Sequence, residues 1–195
     1  MTFRKAFRKK RAVQQVTLSI DAGQIVAILG PNGAGKTTTI NMMLGLLNRD
    51  EGSVRVLGGD PRAPDIKEKI GAMLQDVNII DGLKVKELIA LFTSYYPSPL
   101  AKDELLRLAG LEAEQNAFAE RLSGGQKRRL GFALAIAGNP ELLFLDEPTV
   151  GMDIRARRSF WDTIKGFAAK GKTIIFFNPL FARGRRRRGS SHFIS

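Results

Sequence analysis

Three short runs in this 195-residue chain hold residue types whose spacing could do chemistry. In Gly30-Pro31-Asn32-Gly33-Ala34-Gly35-Lys36-Thr37 the pattern Gly-x-x-x-x-Gly-Lys-Thr leaves successive backbone N–H groups clear of bulky side chains. Such groups converge on an anion at a helix N-terminus, where the helix dipole also favours negative charge. Lys36 is then expected to reach the β- and γ-phosphates of ATP, and the Thr37 hydroxyl to bind Mg²⁺, with Thr38 counted among the nucleotide-binding residues. A ligand-free glycine-rich turn is the plain alternative, and the apolar run before the loop and the helical spacing after it argue against that.

The second run is Leu142-Leu143-Phe144-Leu145-Asp146-Glu147, two carboxylates at the end of a buried strand, expected beside the loop of a parallel neighbour. Alone, an acidic pair there reads as a helix cap or a solvated turn. Next to a phosphate loop, Asp146 is expected to orient Mg²⁺ through water and Glu147 to polarise the water that attacks the γ-phosphate. Pro148 and Thr149 shape the turn that follows. The third run, Leu122-Ser123-Gly124-Gly125-Gln126, offers a second anion-ready helix start, with Ser123 as N-cap and two glycines that allow close approach. An ordinary capped helix is its alternative.

The elements that must position these residues can be read from periodicity. Val13–Ile20 alternates in part like a half-buried strand, and Ile25–Leu29 is wholly apolar, as a central parallel strand should be. From Lys36 to about Leu47 apolar residues recur at helical spacing. Ser53–Leu57, Ile70–Leu74, Leu142–Leu145 and Thr173–Phe177 read as further strands. Helices are expected over 85–96, 102–109, 124–138 and Arg155–Lys170. Trp161 and the methionines read as packing. Strands alternating with helices predict an α/β fold with a mainly parallel sheet and right-handed crossovers.

Together these motifs resemble the nucleotide-binding domain of the ABC transporter ATPases, over about residues 7–177. The resemblance implies a P-loop NTPase core, an antiparallel β subdomain and a helical subdomain inserted at about 78–138. It implies that Ser123, Gly124, Gly125 and Gln126 form the signature motif, which contacts nucleotide held by an opposite domain in a homo- or heterodimer. It makes Gln75 the glutamine that senses Mg²⁺ and touches a membrane partner, Gly151-Met152-Asp153 the loop after the catalytic glutamate, and Phe7 the aromatic near the adenine ring. The stretch from Gly30 to Leu47, with Leu57-Gly58-Gly59-Asp60-Pro61, is similar to the drug and antibiotic exporter branch. The function so implied is an ATP-hydrolysing subunit, peripheral on the cytoplasmic face of the plasma membrane, powering export through a separate membrane-spanning chain. A binding-only relative that dimerises without efficient hydrolysis, a non-transport soluble ABC protein and an unrelated phosphate-loop kinase remain as alternatives.

The chain departs from the family pattern at both ends. The family places a histidine after the strand at 173–177, where this chain reads Asn178-Pro179-Leu180-Phe181 and its only histidine is His192. One permitted codon choice for Phe176–Phe181, TTT TTC AAC CCA CTA TTT, with one thymine removed spells Phe-Ser-Thr-His-Tyr-Leu, with histidine at the position of Pro179. Continued, Ala182–Arg188 can be reread as Gln-Glu-Ala-Asp-Ala-Ala-Ala. The expectation is a one-nucleotide insertion near codons 176–177 that makes 178–195 an aberrant basic tail; a real basic tail is the alternative. At the start, family members carry a strand before the adenine aromatic and only Met1–Ala6 precede Phe7, so truncation is expected there.

Composition narrows the classes. With no cysteine there are no disulfides, thiolate metal sites or cysteine nucleophile. The formal charge of +12 invites a nucleic-acid reading. Six bases fall in 1–11 and five in 178–195, and without them 20 bases face 19 acids, so the charge belongs to the ends and no nucleic-acid partner is expected. The longest apolar runs are far short of the roughly 20 residues that cross a bilayer, and a soluble chain is expected.

Overall fold

The computed structural model describes residues 2–7, 10–30, 34–75, 79–178 and 191–193. Five parallel strands form the main sheet in the order β5-β6-β7-β3-β8. They are β5 (Ile70–Met73), β6 (Leu142–Asp146), β7 (Thr173–Asn178), β3 (Ile25–Leu29) and β8 (Ser191–Phe193). Parallel neighbours need crossovers, and helices supply them: α1 (Lys36–Met43), the short α2 (Pro64–Lys67), α3 (Val85–Thr93), α4 (Lys102–Ala109), α5 (Gly124–Ile136) and α6 (Ile154–Ala169). A separate antiparallel sheet, in the order β2-β1-β4, is built from β1 (Thr2–Phe7), β2 (Lys10–Thr17) and β4 (Glu51–Ser53).

β3, β5, β6 and β7 are mostly buried on both faces, which is why they are largely apolar. Successive side chains of β6 and β7 point to opposite sides. Leu143, Leu145 and Ile174 enter one core with Phe132 of α5, Leu105 of α4 and Phe160 and Ile164 of α6. Leu142, Phe144, Ile175 and Phe177 enter another with Ile40 and Met43 of α1 and Val26 and Ile28 of β3. In the first, Phe132 and Phe160 meet edge to face with centroids 4.9 Å apart. Helices α3, α4 and α5 lie between β5 and β6 in the chain, so the expected α/β class with an inserted helical part and an antiparallel sheet is the fold observed.

Local differences have physical causes. Val54–Leu57 is not a strand: β4 ends at Ser53, and Val56 and Gly59 exchange two backbone hydrogen bonds of 2.9 Å across a two-residue turn. Leu57 (φ 50°) and Gly58 (φ 82°) both take the left-handed conformation that such a turn demands. The basic N-terminal run forms β1, which pairs with β2 and β4 and ends on Phe7 itself. The helix after the phosphate loop stops at Met43, short of Leu47. The expected boundary at 177 falls within β7, and residues 191–193 pair with Ala27–Leu29 on the edge of β3.

Candidate functional site

The C-terminal edge of the main sheet gathers the first two motifs. β3 ends at Leu29 and α1 begins at Lys36. Gly35, its N-cap, has φ 83°, a conformation closed to most side chains at low cost. No acidic residue lies in the first turn of α1, so its positive end is left for an outside anion. Lys36 is buried, and its Nζ donates a 2.8 Å hydrogen bond to the carbonyl oxygen of Gly30, folding the ammonium over the loop. Thr37 is exposed and Thr38 half-buried, Gly30 is buried, and Ala34 and Gly35 are half-buried. Pro31, Asn32 and Gly33 lie outside the described residues.

Asp146 closes β6 and Glu147 follows it. The strand order corrects one expectation: β6 is not the neighbour of β3, because β7 runs between them. Asp146 pairs in register with Phe177, and Leu29 with Asn178. Two strand spacings of about 4.8 Å therefore separate the acidic pair from the root of the phosphate loop, about 10 Å in all. Such a gap suits a triphosphate end better than direct contact.

Asp146 is only 3% exposed, and its Oδ2 is buried without a hydrogen-bond partner. Burial pushes its carboxyl above the ordinary range; Glu147 raises it further, while Lys36 and Arg128 pull it back down. A buried carboxylate with an orphan oxygen fits a group that is completed by a cation. Among the described residues no group of three or more His, Cys, Asp or Glu could cage a metal. A cation here would thus draw most of its ligands from phosphate oxygens and water, as Mg²⁺ does.

Glu147 sits at φ 49°, in the left-handed region that costs a residue of its kind about 1–2 kcal/mol. Its N–H donates to the Phe177 carbonyl at 3.0 Å, which ties the turn to β7. Asp153 caps α6 by accepting a 2.8 Å bond from the Ala156 N–H.

In the third motif Ser123 caps α5 as expected, and Gln126 completes a capping box. Gln126 N–H donates to Ser123 Oγ at 3.3 Å, and Ser123 N–H donates to Gln126 Oε1 at 2.8 Å. Gln126 Nε2 is held in turn by Glu114 Oε1 at 2.8 Å. α5 starts at Gly124, where the helix is expected to begin, and ends at Ile136, short of the expected 138; Ser123 and Gly124 are exposed. Gly125 packs against the loop that follows Glu147, where a Cβ would lie 2.8 Å from the Gly151 carbonyl oxygen. Gln75 is exposed just past the end of β5. Phe7 is the last residue of β1 and its backbone pairs with Lys10; its side chain lies outside the described residues.

One residue in this region escaped sequence reasoning. Arg128 is 9% exposed, and its Nη1 donates a 3.0 Å hydrogen bond to the carbonyl of Leu74, immediately before Gln75. Its signal was a charge at helical spacing from Phe132, Ala135 and Ile136 on the buried stripe of α5. A groove of about 580 Å³ between α4 and α6, lined by Arg107, Arg155 and Arg158 among others, contains none of the candidate residues.

Comparison with known proteins follows the same lines. The profile of the ABC transporter family matches residues 13–150. The Nod factor export ATP-binding protein I of Burkholderia lata is 39% identical over 180 residues, a match covering 88% of this chain and 59% of the relative. The protein of the same name from Paraburkholderia xenovorans is 37% identical with the same coverage. The chain thus spans less than two thirds of the length of these relatives. Among solved structures, the dimeric post-hydrolysis state of an ATP-binding cassette with ADP and Pi aligns with a TM-score of 0.80 at 28% identity, covering 91% of this chain and 84% of that one. The ATP binding subunit of an ABC transporter aligns with a TM-score of 0.83 at 25% identity, covering 92% and 78%.

Proposed function

The chain belongs to the ABC transporter family, and from that premise we propose that it binds and hydrolyses ATP to drive export through a separate membrane-spanning partner. The observation that carries this reading is the pairing of two features on one sheet edge: the Lys36 loop after β3, and a buried Asp146 with an unpartnered oxygen after β6. The charge of Lys36 acts on that carboxylate, which supports assigning both to one ligand.

In this reading the backbone N–H groups of the loop from Gly30 to Thr37, Pro31 having none, hold the β- and γ-phosphates, and Thr38 supports them. Lys36 exchanges its bond to Gly30 for phosphate oxygens. Thr37 and Asp146, with Gln75, would hold Mg²⁺, which when bound neutralises charge on the phosphates. Glu147 takes the proton of a water whose oxygen bonds to the γ-phosphorus as the bond to the β,γ-bridging oxygen breaks, leaving ADP and phosphate. The left-handed backbone at Glu147, anchored to β7, fixes where that carboxylate points. Phe7 is assigned to the adenine side.

Ser123 and Gly124 are exposed at the start of a helix without acids in its first turn, which suits them to a second domain's nucleotide. A homo- or heterodimer of such domains completes the site. The relatives named for Nod factor export support the direction, and a cassette seen after hydrolysis supports turnover. The non-transport and binding-only alternatives are not favoured by these names. No helix among the described residues is long and apolar enough to cross a membrane. In the proposed arrangement the translocation path lies in a separate chain, with this domain on its cytoplasmic face.

The test is E147Q. Phosphate release should fall by about 10²–10⁴-fold while ATP affinity stays within a few-fold, because only the general base is lost. Unchanged phosphate release would sink the assignment.

A further inference from the structure

Arg128 is an expensive residue to bury. A guanidinium in the interior needs partners that offset its lost hydration, and it cannot shed its proton. Here one partner is the neutral carbonyl of Leu74, 3.0 Å from Nη1, an acceptor that any uncharged donor could satisfy. Its charge has a clearer use, since it lies close enough to Asp146 to favour that carboxylate.

The surroundings give the arrangement direction. Gly71 in β5 has no side chain, and a Cβ there would overlap the Ala135 carbonyl oxygen of α5. Seven residues of helix, from Arg128 to Ala135, span about 10.5 Å. Three residues of strand, from Gly71 to Leu74, span about 10 Å. α5 therefore runs alongside β5 in the opposite sense, pinned at Gly71 by backbone contact and at Leu74 by Arg128. The helix that begins with Ser123–Gln126 and the strand that leads into Gln75 are joined at both ends.

We propose that Arg128 is a positioning residue that locks the root of the Gln75 segment to the helix carrying Ser123–Gln126, so that the two move as one unit when nucleotide is gripped. This rests on the function proposed above, in which Gln75 and the Ser123 motif meet nucleotide. Arg128 itself touches no substrate; it acts through Leu74 and Gln75. The rigid fork of arginine carries the direction, and its charge is shared with Asp146.

The test uses R128M, which keeps an unbranched stem and removes the charge and the guanidinium, and R128K, which keeps the charge without the fork. Hydrogen exchange in the segment 70–75 should quicken about tenfold in R128M while segment 154–169 is unchanged, as expected for loss of one charged hydrogen bond. R128K should recover part of that protection, and unchanged exchange in both variants overturns the proposal. In an E147Q background, ATP should further protect 70–75 with Arg128 present and fail to do so in R128M; equal protection in both also overturns it. Should R128M not fold, R128K carries the same comparison at about threefold. ATP that fails to bind E147Q at all would instead sink the function proposed above, so the two failures are distinguishable.

Discussion

Two adjacent glycines of the signature run should behave differently when each receives one methyl group. At Gly125 a Cβ would lie 2.8 Å from the Gly151 oxygen, 3.6 Å from its carbonyl carbon and 3.7 Å from Met152 Cα. All three atoms are backbone, so no side chain can rotate away, and the loop after Glu147 must retreat by about 0.5 Å to reach ordinary contact. Overpacking of this kind costs about 1–3 kcal/mol. For a chain of this size that lowers the unfolding midpoint by roughly 2–4 °C per kcal/mol. At Gly124 nothing lies within 4 Å, so the added methyl meets open space. G124A should unfold within about 1 °C of the parent. Thermal unfolding followed by circular dichroism at one protein concentration, without nucleotide, measures both. Gel filtration with ATP in an E147Q background then isolates the second role of Gly124: weakened dimerisation of a fully stable G124A points to contact with another chain. Equal midpoints for G124A and G125A would refute the packing argument.

Three further outcomes follow from the same geometry. G71A should cost about 1–3 kcal/mol in urea unfolding, since its Cβ meets the Ala135 oxygen and lies 2.9 Å from Pro140 Cγ and 3.0 Å from Leu143 Cδ1; a loss under about 0.5 kcal/mol would mean that α5 can slide along β5. Asp146 has its carboxyl raised above the usual 3.8, by burial first, so the native state resists its ionisation. Its contribution to stability is complete below 3.8 and is lost as pH rises through the raised folded value, so metal-free D146N should gain on the parent from acid to neutral pH. Parallel urea curves at all pH values would contradict that. K36M should weaken ATP binding by about 10–100-fold in calorimetry, the value of one or more charge-assisted bonds to phosphate; undiminished affinity would remove Lys36 from the phosphate site.

The local parts of the site were legible because local rules govern them. A Gly-x-x-x-x-Gly-Lys-Thr run between an apolar strand and a helix leaves few options for the backbone, and Ser123 before two glycines reads as an N-cap, although its reciprocal bond with Gln126 shows only in the structure. Sheet order was not legible. Nothing in Leu142–Asp146 or Ile25–Leu29 says that Thr173–Asn178, distant from β3 in the chain, inserts between them, because adjacency is settled by crossovers rather than by strand composition. The alternating stretch Ser53–Leu57, read as a strand, misled for the opposite reason. Val54 and Val56 are buried, but the left-handed pair Leu57-Gly58 turns the chain before a ladder can form. Arg128 stayed hidden among three successive basic residues, because burial of one of them depends on which face of α5 meets β5. The strand expected to be missing before Phe7 is present as Thr2–Phe7, since pairing to β4 is invisible until both strands are in place.

The intervening β7 acts as a spacer gauge. The phosphate loop hangs from one side of it and the acidic pair from the other, so the width of the site is a whole number of strand spacings. No side-chain substitution can alter that width by a fraction. Adjustment of the chemistry is left to side-chain length and to the angle of the turns at Gly35 and Glu147. A ligand that engages both motifs has to span that clearance, which the sheet sets before any side chain reaches it.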